Sequence, residues 1–219
     1  MKKITVSLVC DIKDSFMHMY LPGLKKELEG LGHTVGYYKN IAEIQKGDVA
    51  FFLACSTILK ENVLSLHGHN VVIHPSKLPE ARGSGVVSWK ILEGADEIWV
   101  TLFRPTDKID AGEIYYQDYA PLSGDELCDE IRQKQAELSF ALIKRFLADY
   151  PNLKPVVQEG KSSFYPKRTP KDSELDVNKS LKEQFNLLRT VDNERYPAFF
   201  HMHGKKYILK ISKEERVHV

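Results

Sequence analysis

Short β-branched runs alternating with amphipathic helical patterns constrain this chain more than any other feature. Ile4 to Cys10 (ITVSLVC) reads as a first strand. Met19 to Leu31 follows, with Tyr20, Leu24, Leu28 and Leu31 at helical spacing and Gly32 as its stop. Thr34 to Tyr38, Asp48 to Ala54 and Asn70 to Ile73 read as three further strands, with a short helical pattern around Leu59 to Leu66 before the last. Strands joined through helices must run in the same direction and bury both sheet faces. The expected fold class is therefore α/β, a Rossmann-like, mostly parallel sheet with flanking helices. The turn after the first strand, DIKDSFMHMY, holds neither GxGxxG nor GxxxxGK[ST], which argues against a dinucleotide or P-loop site there.

From Trp99 the pattern changes. WVTLFRP and GEIYYQDYAP are extended stretches around the polar loop Thr106 to Gly112. A long helix is expected next, opened by a Ser123/Glu126 capping box, striped by Leu127, Ile131, Leu138, Leu142 and Phe146, and ended by Pro151. These elements form a predicted first domain over 1–150, followed by a Pro-, Gly- and Ser-punctuated linker over 151–163. The remaining segment, 164–219, carries a Ser180/Glu183 capping box, a helical face of Leu181, Phe185 and Leu188, and a hairpin turning at Gly204. This small helix-and-hairpin appendix cannot bury a core alone, so it is expected to pack on the first domain or on a second copy, giving a homodimer.

With 31 Lys and Arg against 30 Asp and Glu, a formal charge of +1 provides no general attraction for nucleic acid or anionic membrane. The longest apolar run, Val49 to Cys55, is far short of the ~20 residues that cross a bilayer. Two lysines precede the first apolar run, but Thr5, Ser7 and Asp11 interrupt it as they would not a secretory signal. Three scattered cysteines, with no CxxC pair, describe neither a disulfide framework nor a zinc site. The expectation is a cytoplasmic chain without a metal, with His67, His69 and His74 a chance cluster and His201 and His203 surface residues.

The densest local signal is NVVIHPSKLPEARGSG, Asn70 to Gly85, in which a buried-looking strand ends on His74 before a proline. Ligands of open α/β sheets bind beyond the carboxyl ends of strands, where His74 stands. A strand-end histidine is also a common structural hydrogen-bonder. The second signal is TDKIDAGE, in which Asp110 is either a turn aspartate or a functional carboxylate.

Together these segments resemble the 10-formyltetrahydrofolate-dependent formyltransferase family. HPSKLPEARG (His74 to Gly83) is similar to that family's HPSLLPxxRG-like stretch and DAGEI (Asp110 to Ile114) to its DxGxI-like loop. FLACSTILKENVL resembles its third strand and cofactor-contacting loop. RTPKDSELD and NLLRTVDNERYPAFF, within Arg168 to Phe200, resemble the tail of its nucleotide-sugar members. The resemblance implies acid–base or oxyanion work for His74, with Asp110 orienting it and removing a proton. It places Ser56, Thr57, Ile58, Leu59 and Asp107 against the pterin of 10-formyltetrahydrofolate, with no metal.

Lys77, Arg82, Tyr165, Arg168, Asn186, Arg189, Asn193 and Tyr196 are the candidates for a nucleotide-linked amino sugar, because arginines suit a diphosphate and aromatic and amide groups a base. The short tail and neutral charge point away from tRNA. Within the sugar branch the chain looks most like the pseudaminic-acid pathway members, which implies UDP-4-amino-4,6-dideoxy-N-acetyl-L-altrosamine as acceptor. A dTDP-linked amino sugar is the alternative. The family has an asparagine two residues before the histidine, and this chain has Val72. Asn70 lies about 13 Å from His74 along a straight strand and cannot replace that amide without a bulge. A catalytically silent binder of folate or nucleotide sugar therefore stays open.

Overall fold

The computed structural model describes residues 2–57 and 59–214. Its strands are, in chain order, β1 (Thr5–Val9), β2 (Thr34–Tyr38), β3 (Gly47–Leu53), β4 (His67–His74), the two-residue β5 (Arg82–Gly83), β6 (Glu97–Phe103) and β7 (Ile114–Pro121). A two-residue β8 (Phe164–Tyr165) and a hairpin of β9 (Ala198–Met202) and β10 (Lys205–Leu209) complete them. Six form one sheet in the order β2-β1-β3-β4-β6-β7. The first four of that order are parallel, and β6 and β7 add an antiparallel pair. The Rossmann-like reading is correct.

The period-2 pattern of β3 shows why the sheet needs cover on both faces. Val49, Phe51 and Leu53 enter one core with helices α1 (Met17–Gly30) and α4 (Cys128–Asp149), while Ala50 and Phe52 enter another with Val63 of α2 (Glu61–Leu64); α3 (Val86–Leu92) lies between β5 and β6. Phe146 of α4 meets Phe51 edge-on at 5.2 Å between ring centroids. The chain leaves β1 for β2 on one side and returns to β3 on the other. The crevice of this sheet therefore lies above β1 and β3.

Several helical faces differ from their sequence patterns. Helix α1 starts two residues early and buries Met17, Leu21, Leu24 and Leu28. Leu31 lies past its end and is 50% exposed. Glu126 does accept from the Ser123 N–H (2.8 Å), but α4 begins only at Cys128, and Glu130 caps it by accepting from Leu127 N–H. The reciprocal Ser180/Glu183 box forms, yet it closes a turn before α5 (Phe185–Thr190), leaving Leu181 65% exposed. The hairpin is as read. His203 and Gly204 both take positive φ in its two-residue turn, while Leu209 and Ile211 pack on Leu175, Leu188, Val191 and Ala198.

The segment 151–163 lies against the sheet and loops that precede it: Val156 exchanges backbone hydrogen bonds with Ile114, and Ser163 holds Ala81 and Arg82. Beyond it, β8 pairs with β5. The tail is anchored by a buried charge cluster, Glu126 with Lys134 (2.9 Å) and Arg189 (3.5 Å). Burial alone would raise the Glu126 carboxyl, but hydrogen bonds from Lys134 and the Ser123 and Gly124 N–H groups outweigh it and hold the carboxyl at about 2. Glu126→Gln would leave Arg189, which is 2% exposed, without its counter-charge. A loss of about 3 kcal/mol is expected in urea unfolding at neutral pH.

At the amino ends of the strands, buried His67 hydrogen-bonds the Ser7 hydroxyl at 2.8 Å. Burial lowers its imidazole below the ordinary 6.5, and does the same to His33 and His69. The unfolded chain then takes up these protons first, so stability is lost as pH falls through about 6.5. Urea midpoints should fall from neutral pH towards about pH 5, and His67→Gln should flatten that slope.

Candidate active site

Strand β4 ends by delivering His74 to the rim of a cleft of about 730 Å³. The turn behind it is rigid. Thr101 Oγ1 donates to the Ser76 carbonyl (2.6 Å) and accepts from the Gln117 amide (2.7 Å), and Ser76 Oγ donates to the Glu80 carbonyl (3.1 Å). The histidine, proline and serine thus form a turn bolted to two neighbouring strands.

Both ring nitrogens of His74 face a fixed oxygen. Nε2–H donates to the Ala81 carbonyl at 3.0 Å, and Nδ1 lies 3.7 Å from Asp110 Oδ2. That same Oδ2 accepts from the Gly83 N–H at 3.0 Å. Because Nε2 keeps its proton for Ala81, Nδ1 is the ring nitrogen open to a further proton, beside the carboxylate. The resulting imidazolium could release it or stabilise a neighbouring oxyanion.

The aspartate loop needs its glycine for a steric reason. Asp110 stands at φ +49°, and a Cβ on Gly112 would fall 1.6 Å from the Arg104 carbonyl oxygen. The β6–β7 register slips beside this loop, between Leu102 and Phe103.

Sequence reading placed several other residues here, with mixed outcome. Ser56, Thr57, Leu59, Asp107 and Tyr165 line the cleft, whereas Ile58 lies outside the described residues. The N–H groups of Ser56 and Thr57 are held by the Asp11 carboxylate at 2.7 and 3.2 Å. Beside them, burial pushes the Cys55 thiol up to about 12, which removes it as a nucleophile. Tyr165 donates to Glu93 at 2.6 Å, and burial together with that bond pushes its hydroxyl up to about 12.

Other candidates point elsewhere. Lys77 sits over the Trp99 ring at 4.5 Å, and the Arg82 guanidinium donates to Gln158 at 2.7 Å. Arg168 donates to the Asp172 carbonyl and covers Trp89 at 5.7 Å. Asn186 accepts from Arg189, which is buried against Glu126. Asn193 brackets the backbone of Ile211 through both N–H and C=O, and Tyr196 lies under Arg195. Of these residues, Arg168, Asn186 and Asn193 find hydrogen-bond partners within the tail, whereas Arg189 ties the tail to Glu126.

Asn70 donates to the Leu64 carbonyl at 2.8 Å, so it ties β4 to α2 and not to His74. Val72 lines the cleft in its own right. The three neighbouring histidines also separate, His67 on Ser7, His69 among Phe146 and Tyr150, His74 on Ala81.

A family model described as formyl transferase matches residues 37–147. The chain belongs to the formyl transferase family. Among curated proteins it is similar to a methionyl-tRNA formyltransferase of Ehrlichia canis, 30% identical over 75% of this chain and 54% of that protein. It is also similar to the bifunctional polymyxin resistance protein ArnA of Wigglesworthia glossinidia brevipalpis, 28% identical over 82% and 29%. The chain thus spans about half or less of the length of these curated relatives.

Several solved structures share the fold. A methionyl-tRNA formyltransferase from Clostridium thermocellum superposes with TM-score 0.81 at 20% identity, covering 98% of this chain and 95% of its own. A sugar N-formyltransferase from a Shewanella species gives 0.70 at 17%, covering 97% and 98%. HypX from Aquifex aeolicus in complex with tetrahydrofolic acid gives 0.75 at 18%, covering 96% and 38%. Within this family frame His74 and Asp110 stand together as the two motifs implied. The residues that sequence missed are Asp11, Thr101, Gln117, Gln158 and Ser163, lone polar residues in no motif. Gly112→Ala should displace Asp110 from His74, read as a changed pH titration of the His74 ring signals in NMR, with a loss of about 1–3 kcal/mol.

Proposed function

We propose that this protein transfers the formyl group of 10-formyltetrahydrofolate to the amino group of a nucleotide-linked amino-deoxy sugar. The reading rests above all on the His74–Asp110 pair at the rim of the cleft, 3.7 Å apart, in a chain of the formyl transferase family. The cleft, of about 730 Å³, has room for a pterin and the sugar end of a second ligand. Ser56 and Thr57 spend their N–H groups on Asp11, so that loop would meet the pterin with its carbonyls. Asp107 would border the same ring.

The chemistry uses the pair in order. The amine lone pair attacks the formyl carbon, and the carbonyl electrons move to oxygen. His74 takes the ammonium proton on Nδ1, where Asp110 balances the new charge, and the imidazolium then faces the oxyanion. As the oxyanion re-forms its carbonyl, the bond from carbon to the folate nitrogen breaks and that nitrogen takes the proton back from His74 Nδ1, leaving the imidazole neutral again. Val72 contributes a methyl surface where the family has an amide, so the oxyanion depends on His74 and backbone N–H groups.

For the acceptor, UDP-4-amino-4,6-dideoxy-N-acetyl-L-altrosamine is proposed first, which would place the product in bacterial surface-glycan (pseudaminic acid) synthesis; a dTDP-linked amino sugar is second. The near-zero net charge disfavours a tRNA acceptor. Tyr165 and Lys167, which line the cleft, would meet the nucleotide. A second copy would pack on the hairpin, where Met202, Tyr207 and Ile208 are exposed.

The test is incubation with 10-formyltetrahydrofolate and a panel of UDP- and dTDP-amino sugars plus initiator methionyl-tRNA, scored by the mass gain of one formyl group. His74→Ala and Asp110→Ala should each lower turnover about 100- to 10,000-fold, and Asn70→Ala far less. Folate or sugar binding without any product would instead identify a silent binder.

A further inference from the structure

We infer that Gln158 and Ser163 are positioning residues that hold both partners of the His74 ring in place. The kinetic side of this inference rests on the proposed formyl transfer; the geometric side does not. Each nitrogen of His74 faces a residue in the left-handed backbone region, Ala81 at φ +56° and Asp110 at φ +49°. Neither is glycine, and such conformations persist only where the surroundings enforce them.

The enforcement comes from one short span. The Gln158 amide donates one N–H to the Asp110 carbonyl (2.9 Å) and the other to the Gly112 carbonyl (2.8 Å), gripping the aspartate loop on both sides of Ala111. Its oxygen accepts from Arg82 Nη2 (2.7 Å), and the next residue, Gly83, donates its N–H to the Asp110 carboxylate (3.0 Å). These contacts close a ring through Gln158, Asp110, Gly83 and Arg82. Five residues later, Ser163 Oγ accepts from the Ala81 N–H (2.8 Å) and the Ser163 carbonyl from the Arg82 N–H (2.9 Å). Ser163 thereby fixes the peptide whose carbonyl receives His74 Nε2–H.

The tail has other anchors that do not touch these loops. Trp89 donates to the Pro166 carbonyl (2.9 Å), Arg132 pairs with Asp192 (2.8 Å), and Arg189 pairs with Glu126. Loss of the Gln158 grip would therefore release the aspartate loop while the tail stays docked.

The experiment compares Gln158→Ala, Gln158→Glu, Ser163→Ala and Ser163→Thr with the parent protein by three readouts. These are thermal unfolding, steady-state formyl transfer across pH, and NMR titration of the His74 ring without substrate. Gln158→Ala should lower kcat about 10- to 100-fold with the folate KM little changed. The pH profile of kcat and the His74 titration should move together. Gln158→Glu, equal in size but without N–H donors for the two carbonyls, should fail in the same way. Ser163→Thr, which keeps the hydroxyl, should recover most of what Ser163→Ala loses.

Parent-like kcat and an unmoved His74 titration in a folded Gln158→Ala would overturn the inference. So would equal loss in Ser163→Thr and Ser163→Ala. If Gln158→Ala does not fold, the Ser163 pair decides. If the parent transfers no formyl group to any acceptor, the proposed function fails, and the NMR arm still decides positioning.

Discussion

The site depends on a confrontation between one imidazole and two oxygens that the chain must bend unnaturally to present. His74 is fixed by its strand and by the Thr101–Ser76–Gln117 hydrogen bonds behind it. Its oxygen partners lie on two loops, and both reach it through left-handed residues, Ala81 and Asp110. Each such residue costs about 1–3 kcal/mol, which the surrounding structure must offset. Close backbone approach completes the device: a Cβ on Gly83 would lie 2.2 Å from the Tyr165 carbonyl oxygen, and one on Gly112 only 1.6 Å from that of Arg104. The glycines of the two motifs serve this approach and not loop flexibility.

That constraint makes the tail part of the site. The residues between α4 and β8 look like a connection, yet they provide the hydrogen bonds that hold the two strained loops. The tail in turn needs the rest of the chain, because its own core is a handful of side chains around Leu175, Leu188, Val191 and Ala198. Docking is secured by buried charge, in which Glu126 is met by Lys134, Arg189 and two backbone N–H groups. A carboxylate so well satisfied stays ionised in the interior and fixes the position of both elements it joins.

Much of the central sheet was legible because apolar period encodes burial. The strands around Val6, Val35, Phe51 and Ile73 announce themselves by β-branched and aromatic runs, and the His74 and Asp110 motifs by invariable steric needs written as proline and glycine. The helical faces were less legible. In α1 the stripe shifts to Met17, Leu21, Leu24 and Leu28 because the true start lies two residues upstream, and Leu31 falls beyond the end. The partners of the tail residues were illegible for another reason. Arg189, Asn186 and Asn193 have the side chains of a nucleotide site, but a polar side chain serves whichever partner tertiary packing places beside it. Here those partners are Glu126, Arg189 and the Ile211 backbone.

The sequence by itself determined the layered α/β class, the hairpin turn at Gly204, the family, and the two motifs that carry His74 and Asp110. These follow from local periods, local backbone needs and residue types at short spacing. Only the tertiary structure decided that Asn70 serves Leu64, that Asp11 holds the Ser56 and Thr57 amides, and that Gln158 and Ser163 hold the loops around His74. Hydrogen bonds such as these, most of them between residues dozens of positions apart, leave no period or motif in the chain. Their partners are chosen when the sheet and the tail come together.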